Sequence, residues 1–136
     1  MTLIVADASA IVEFLLGTSI GAVVTETITR AETDLHVPAL CDVEVTAALR
    51  RGLADRRLTE TRAREAVTDY LDLPLTRHGH TVFLPRLLEL RANFTVYDAT
   101  YVALAEQLNA ALLTADRRLE RAARAHLDLE LRSPWI

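Results

Sequence analysis

The sequence predicts an α/β sandwich with a short, mostly parallel sheet and helices on both faces. Short apolar runs alternate along the chain with longer helical segments, which is the order that βαβ units produce. The first run, residues 3–6, is apolar throughout, as expected for a strand buried on both faces. The 136 residues suit one compact domain, and no internal repeat or linker interrupts the pattern.

Apolar periodicity sets the expected limits of each element. The expected strands are residues 3–6, 36–38, 75–77, 111–114 and 129–131. The expected helices are residues 9–16, 19–32, 42–53, 59–71, 81–92, 95–108 and 116–125.

Turn and cap residues mark the ends of several helices. Gly17 ends the first helix, and Ser19 and Thr59 are the expected N-caps of the second and fourth. Pro74 closes the fourth helix. Pro85 is tolerated in the fifth helix only because it falls in or near the first turn.

The charge balance excludes several classes of protein. The formal net charge is −4, which is not the balance of a nonspecific nucleic-acid binder. All 15 basic residues are arginines, and the absence of lysine excludes a P-loop, Schiff-base catalysis and a receiver domain. Arginine forks suit bidentate phosphate contacts, although GC-rich codon usage is the simpler explanation of the arginine excess.

Cysteine content and the apolar N-terminus bear on the compartment. The single cysteine, Cys41, excludes an internal disulfide, and its simplest interpretation is a buried small apolar residue. Asp7 and Glu13 interrupt the apolar start, which lacks a basic leader, so neither a signal peptide nor a membrane span is expected. We therefore expect a soluble, cytoplasmic protein.

The hydrophobic content of 51% fits either a dense core or a surface covered by a partner. Residues 11–16 are one candidate stretch for such a surface.

Four carboxylates are expected at one edge of the sheet. Asp7 follows the first strand and Asp116 follows the strand at residues 111–114. Glu44 and Asp98 are expected in the first turns of two helices. The carboxyl ends of parallel strands and the N-termini of crossover helices share one edge, where ligands bind in open α/β folds.

Such a cluster predicts a cation site. Two carboxylates 4 Å apart repel by about 4 kcal/mol at an effective dielectric near 20, so a cluster raises carboxylate pKa values or holds a cation. Oxygen ligands without His or Cys favour Mg²⁺, with Mn²⁺ as a substitute. One ion and two ions are both compatible with the sequence.

Helix capping explains each carboxylate taken singly. Asp7 and Asp116 suit N-cap positions. Thr95 and Asp98 have the spacing of a capping box, and Glu44 would favour the helix dipole. The coincidence of all four at one edge is what favours a shared site.

Four segments that contain these carboxylates resemble the motifs of a known family in order and rough spacing. They are VADAS (residues 5–9), PALCDVEVTAALR (38–50), YDATYVALAE (97–106) and LLTADRRL (112–119). These segments are similar to the four motifs of the PIN-domain family, and closest to those of its VapC-type toxins. The third segment is the most distinctive, and the resemblance covers nearly the whole chain.

The resemblance implies a three-layer α/β/α sandwich of about five strands, as a single PIN-like domain over residues 1–136. It implies a Mg²⁺-dependent endoribonuclease that acts as the toxin of a type II toxin–antitoxin pair and cleaves cellular RNA. Asp7, Glu44, Asp98 and Asp116 would form its catalytic and metal site. A cognate VapB-like antitoxin and a homodimer are the implied protein partners.

Two hydroxyls and a further acid complete the predicted site region. Ser9 and Thr114 resemble the family's hydroxyl positions near the metal, where they would orient water or a carboxylate; capping is the alternative. Asp42 is a rival to Glu44. Two residues apart on a helix, they point about 200° from each other, and the resemblance favours Glu44.

Other polar and aromatic residues have simpler interpretations. Tyr97 and Tyr101 could stack on bases, but core packing is the preferred interpretation. His78 and His80 are expected in a solvated turn, and Trp135 at the surface or in a dimer contact. Four arginines near the fourth motif could hold RNA phosphates or form a solvated helix face: Arg117, Arg118, Arg121 and Arg124.

Three rival functions stay open at this point. A non-toxin PIN nuclease of RNA processing would carry the same motifs. A metal-dependent phosphatase or phosphotransferase would usually have Asp-x-Asp after the first strand, where position 9 is Ser9, and commonly a lysine. A non-enzymatic binding domain would be favoured by loss of one carboxylate, and all four are present.

Overall fold

Among the residues that the structure describes, a five-stranded parallel sheet forms the centre of the fold. The computed structural model describes residues 1–134, so the expectation for Trp135 lies outside the described residues. The strands in chain order are β1 (Thr2–Ala6), β2 (Thr33–Pro38), β3 (Leu75–His78), β4 (Ala111–Leu113) and β5 (Leu131–Arg132). Every neighbouring pair is parallel, in the spatial order β3-β2-β1-β4-β5. The predicted α/β fold is confirmed.

In the described part of the chain, seven α-helices connect the strands and cover the sheet. They are α1 (Ala8–Leu16), α2 (Ser19–Ile28), α3 (Leu40–Ala54), α4 (Glu60–Asp72), α5 (Leu84–Glu89), α6 (Val96–Leu108) and α7 (Arg117–His126). Parallel crossovers are right-handed, so the reversal of strand order after β3 places α1–α4 on one face and α5–α7 on the other. The contacts agree, since α1, α3 and α4 pack on one another whereas α5 packs on α6.

The core is continuous between the sheet and α6. In β1, Ile4 and Val5 are fully buried, and Val5 lies opposite His36 of β2 and Leu112 of β4. Residues 99–105 of α6 are all buried, which a helix covered on several sides requires. This packing fixes the N-terminus of α6, and with it Asp98, at the carboxyl edge of the sheet.

The limits of α2 and β2 differ from the prediction. Thr18 is the N-cap instead of Ser19, because Gly17 adopts a left-handed conformation (φ 65°) and Thr18 Oγ1 accepts from the backbone N–H of Gly21. Residues 29–32 leave the helix, and β2 begins at Thr33, where it pairs with Thr2. The apolar periodicity predicted that α2 continues through residues 29–32, but these residues form the turn that leads into β2.

The expected helix at residues 81–92 is broken into three pieces. A 3₁₀ turn (Thr81–Phe83) precedes α5, and a second (Leu90–Ala92) follows it. Pro85 lies at the start of α5, where its missing N–H removes no helical hydrogen bond. The last strand lies at Leu131–Arg132 instead of residues 129–131, because its register is set by Leu112 and Leu113 of β4.

Among residues 1–134, no single helix is long and apolar enough to cross a membrane. The helices α1 and α2 reach the necessary length and composition only as a pair bent by 109°.

Candidate active site

The candidate site lies where the strand order changes direction. β1 and β4 are neighbours, but the chain leaves β1 toward β2 and leaves β4 toward β5. The diverging crossovers open a crevice at the carboxyl ends of these strands, the usual ligand position in open α/β sheets. Asp7 directly follows β1, and Thr114 directly follows β4.

Asp7 is a buried carboxylate with 5% of its surface exposed. Its Oδ1 accepts hydrogen bonds from Ser9 Oγ (2.7 Å) and from the backbone N–H of Ala10 (3.0 Å). Its Oδ2 accepts a hydrogen bond from Thr114 Oγ1 at 2.7 Å. Burial outweighs these bonds and raises the pKa of Asp7 from 3.8 to about 6. Ionised Asp7 therefore destabilises the fold at neutral pH by about 3 kcal/mol.

Ser9 and Thr114 join the two strand ends. Ser9 Oγ donates to Asp7 and accepts from the N–H of Ala115 at 3.0 Å. Thr114 Oγ1 likewise donates to Asp7 and accepts from the N–H of Asp116 at 3.0 Å. Because both hydroxyl protons are directed at Asp7, these side chains fix the orientation of its carboxylate.

Two further carboxylates lie at the N-termini of α7 and α6. Asp116 is the N-cap of α7, and its Oδ1 accepts from the N–H of Arg118 at 2.9 Å. Asp98 lies in the first turn of α6, which Thr95 caps by accepting from the N–H of Asp98 at 3.1 Å. Burial, and secondarily the charge of Asp116, raises the pKa of Asp98, and Arg118 opposes this shift.

Glu44 approaches from α3 and is held by a tyrosine. It lies in the second turn of α3, not the first as predicted, because the helix begins at Leu40. Tyr101 donates a hydrogen bond from its hydroxyl to Glu44 Oε1 at 2.6 Å, and only 1% of Tyr101 is exposed. Partial burial, with a smaller effect of Asp98, raises the pKa of Glu44. The sequence does not predict this contact, since no local pattern pairs residues 57 positions apart.

One pocket of about 390 Å³ collects these groups. Asp7, Glu44, Asp98 and Asp116 all line it, together with Ser9, Tyr101, Glu13 and Arg51. Glu13 and Arg51 were not predicted. Within residues 1–134, no three His, Cys, Asp or Glu side chains form a ready-made metal cage. The donor set is nevertheless one of hard oxygen ligands, and it includes a buried carboxylate whose raised pKa a cation would lower.

Asp42, the rival to Glu44, faces away from this pocket. Its Oδ1 accepts from Tyr70 (2.6 Å) and from Arg77 Nε (2.8 Å), and the Arg77 guanidinium lies 5.2 Å from the centre of the Tyr70 ring.

The neighbouring residue, Cys41, is fully buried, and burial raises the pKa of its thiol to about 11. The thiol is therefore protonated at neutral pH, as its expected packing role requires.

Two expectations about aromatic side chains are wrong. His78 is the last residue of β3 and not part of a solvated turn; its Nε2 lies 2.8 Å from His36 Nδ1 because both side chains extend from adjacent strands. Tyr101 is buried as expected, but Tyr97 is 57% exposed. Tyr97 lies one residue before Asp98, on the solvent side of the first turn of α6.

The apolar stretch at residues 11–16 packs against the core, with Val12, Phe14 and Leu16 only partly buried. Ile11 is fully buried and Leu15 is 3% exposed, because this side of α1 packs into the core. Large exposed apolar side chains instead include Val82, Leu84 and Leu88, before and within α5.

Comparison with known proteins identifies the family. The PIN-domain model matches residues 4–125. Over 129 residues the chain is 40% identical to Ribonuclease VapC12 of Mycobacterium tuberculosis, covering 95% of this chain and 98% of that protein. Ribonuclease VapC1 of the same organism is 39% identical over 131 residues, covering 93% and 96%.

Solved structures show the same fold. PAE2754 from Pyrobaculum aerophilum superposes with a TM-score of 0.71 at 22% identity, covering 98% of this chain and 84% of that one. VapBC2 from Rickettsia felis, solved with a DNA fragment from its promoter, gives a TM-score of 0.68 at 13% identity, covering 97% and 98%. By its sequence, the chain belongs to the PIN-domain family and, within it, to the VapC group.

Proposed function

We propose that this protein is a metal-dependent endoribonuclease and the toxin of a type II toxin–antitoxin pair. The observation that carries the proposal is the convergence of four carboxylates on one pocket at the switch point of the sheet. The relatives at 39–40% identity are named ribonucleases, which supports RNA as the substrate.

Asp7, Glu44, Asp98 and Asp116 would hold the cation, and Mg²⁺ is the ion that best fits an all-oxygen donor set. A divalent cation supplies charge neutralisation at the phosphate and activation of a bound water. Asp7 is held rigid by Ser9 and Thr114. Glu44 is oriented by Tyr101, and its raised pKa suits a carboxylate that accepts a proton during hydrolysis.

The phosphatase and phosphotransferase rivals fit the site less well. These enzymes usually have a second aspartate after the first strand, and here Ser9 occupies that position. The Ser9 hydroxyl donates a hydrogen bond to Asp7 and so positions that carboxylate. An open pocket at the sheet edge also suits a polymeric substrate. Single-stranded or looped RNA is the expected form, because the deep, narrow major groove of A-form helices hides base edges.

The proposal includes two protein partners. A VapB-like antitoxin is supported by membership of the VapC group and by the VapBC2 structure from Rickettsia felis. A homodimer is supported by the exposed apolar side chains Val82, Leu84 and Leu88. We place the protein in the cytoplasm, where such an antitoxin and cellular RNA would both be present.

The first prediction compares two pocket acids, Glu44 and Asp98, with Asp42, which lies on the same helix as Glu44 but outside the pocket. Glu44→Gln and Asp98→Asn should each lower the Mg²⁺-dependent cleavage rate at least about 100-fold, since each removes a charge facing the pocket. Asp42→Asn, two residues from Glu44 but bonded to Tyr70 and Arg77, should retain a rate within about threefold of wild type. Single-turnover cleavage of cellular RNA, with an EDTA control, measures this. Wild-type rates in the Glu44 and Asp98 variants would contradict the site.

The second prediction concerns the charge of Asp7. Its folded pKa is about 6 and its ordinary value 3.8, so the folded state binds more protons between these values. Wild-type stability in EDTA should therefore fall as pH rises from about 4 to 6 and stay reduced above that. Asp7→Asn lacks this loss and should melt about 5–10 °C higher at pH 7, with the gap closing by pH 4.

The same melts, repeated with Mg²⁺, complete this test. Wild type should gain more stability from Mg²⁺ than Asp7→Asn, because the ion binds the folded carboxylate site. Asparagine caps a helix about as well as aspartate, so capping alone predicts no gap at any pH. A gap that is the same at pH 4 and pH 7 would refute the assignment of a buried charge to Asp7.

The third prediction is a protein partner encoded beside this gene. Expression of the wild-type chain alone should arrest growth, and coexpression of the neighbouring small protein should relieve the arrest. The two should elute together in size-exclusion chromatography. Separate elution of the two purified proteins at micromolar concentration would contradict the toxin–antitoxin part of the proposal.

A further inference from the structure

The acidic pocket creates a problem for an RNA substrate. Of residues 1–134, five acidic side chains line it, namely Asp7, Glu13, Glu44, Asp98 and Asp116, together with one basic residue, Arg51. A phosphodiester backbone carries one negative charge per nucleotide, and the chain as a whole is acidic. Cations at the rim are therefore needed to hold the phosphates on either side of the bond that is cut.

Arg51 supplies a cation on the α3 side of the pocket. It lies seven residues, or two helical turns, after Glu44, and so on the same face of α3. Its side chain lines the pocket, and its charge acts to lower the pKa of Glu44. Arg50, the preceding residue, does not line this pocket; it lines the groove between α3 and α4 and a second hollow that it shares with Arg51.

Arg118 supplies a cation on the opposite, α7 side. Its Nη2 lies 3.9 Å from Asp98 Oδ2 and 4.0 Å from Asp116 Oδ2, and its side chain is 72% exposed. These distances are too long for hydrogen bonds, so both carboxylates attract the guanidinium without binding it tightly. By contrast, Arg86 makes two short bonds to Glu106, at 2.9 and 3.0 Å, as a structural ion pair does.

We propose that Arg51 and Arg118 form a phosphate clamp that binds the RNA backbone on the two sides of the pocket. The inference rests on the proposed ribonuclease function and adds the residues that contact substrate. Each guanidinium is near the carboxylates yet retains exposure to solvent, and its planar fork matches a phosphate. The clamp makes binding of single-stranded RNA depend on salt through these two positions.

The test measures the salt dependence of RNA binding. Fluorescence anisotropy follows a short, labelled single-stranded RNA, with Ca²⁺ replacing Mg²⁺ to limit cleavage. Arg51→Gln and Arg118→Gln should each weaken binding about three- to tenfold and reduce the slope of log K against log[salt] by about 0.7. In the double variant this slope should fall by about 1.4. Arg51→Lys and Arg118→Lys, which keep the charge, should retain most of the slope.

Two neighbouring arginines serve as matched controls. Arg50→Gln changes the adjacent residue of α3, and Arg124→Gln changes an arginine of α7 whose Nε donates to Glu120 at 3.1 Å. Both should keep the wild-type slope. In Mg²⁺, the clamp variants should raise KM for RNA cleavage with kcat within about threefold of wild type, because phosphate contacts contribute mainly to binding.

The outcomes separate this inference from the proposed function. Wild-type slopes in Arg51→Gln and Arg118→Gln, or equal losses in the two controls, would overturn the clamp while leaving RNA cleavage intact. No cleavage by wild type in Mg²⁺ or Mn²⁺ would overturn the proposed function, whatever the binding slopes. Loss of slope at Arg51 and Arg118 alone supports the clamp.

Discussion

The buried carboxylate of Asp7 is the constraint on which the arrangement of this edge of the sheet depends. Its two oxygens receive hydrogen bonds from Ser9 and Ala10 of α1 and from Thr114 beyond β4. These bonds tie together β1, β4 and the start of α1. The shift of its pKa to about 6 corresponds to about 3 kcal/mol at neutral pH. That shift already includes the hydrogen bonds from Ser9, Thr114 and the backbone N–H of Ala10, so a cation bound in the pocket would add a stabilisation that these bonds do not supply.

Two of the carboxylates that cap helices also belong to the acidic cluster in the pocket. Asp7 and Asp116 are the N-caps of α1 and α7, and Thr95 caps α6 through the N–H of Asp98. Each helix start follows the carboxyl edge of the parallel sheet, so a residue that caps also projects toward the shared pocket. Capping therefore accounts for the positions of Asp7 and Asp116, whereas Glu44 lies in the second turn of α3 and caps nothing. The pocket accounts for the convergence of all four acids.

The sequence predicted what local pattern and topology determine. Parallel strands oblige Asp7 and Asp116 to share one edge, and the αβ alternation predicted all five strands. Contacts that depend on tertiary packing could not be predicted from the sequence. Tyr101 reaches Glu44 only because α6 and α3 approach each other, and His78 meets His36 through the register of β2 and β3. The ends of α2 and β5 likewise follow from strand pairing and not from periodicity.

The central claim is that the pocket at the β1–β4 switch point binds a divalent cation through its carboxylates. Anomalous diffraction from crystals of the wild-type protein soaked in Mn²⁺ tests this most directly. We expect an anomalous peak inside the pocket, with carboxylate oxygens of Asp7, Asp98 or Asp116 within about 2.3 Å of the ion. A soaked crystal with no peak among these residues, or with Mn²⁺ bound only elsewhere on the protein, would contradict it.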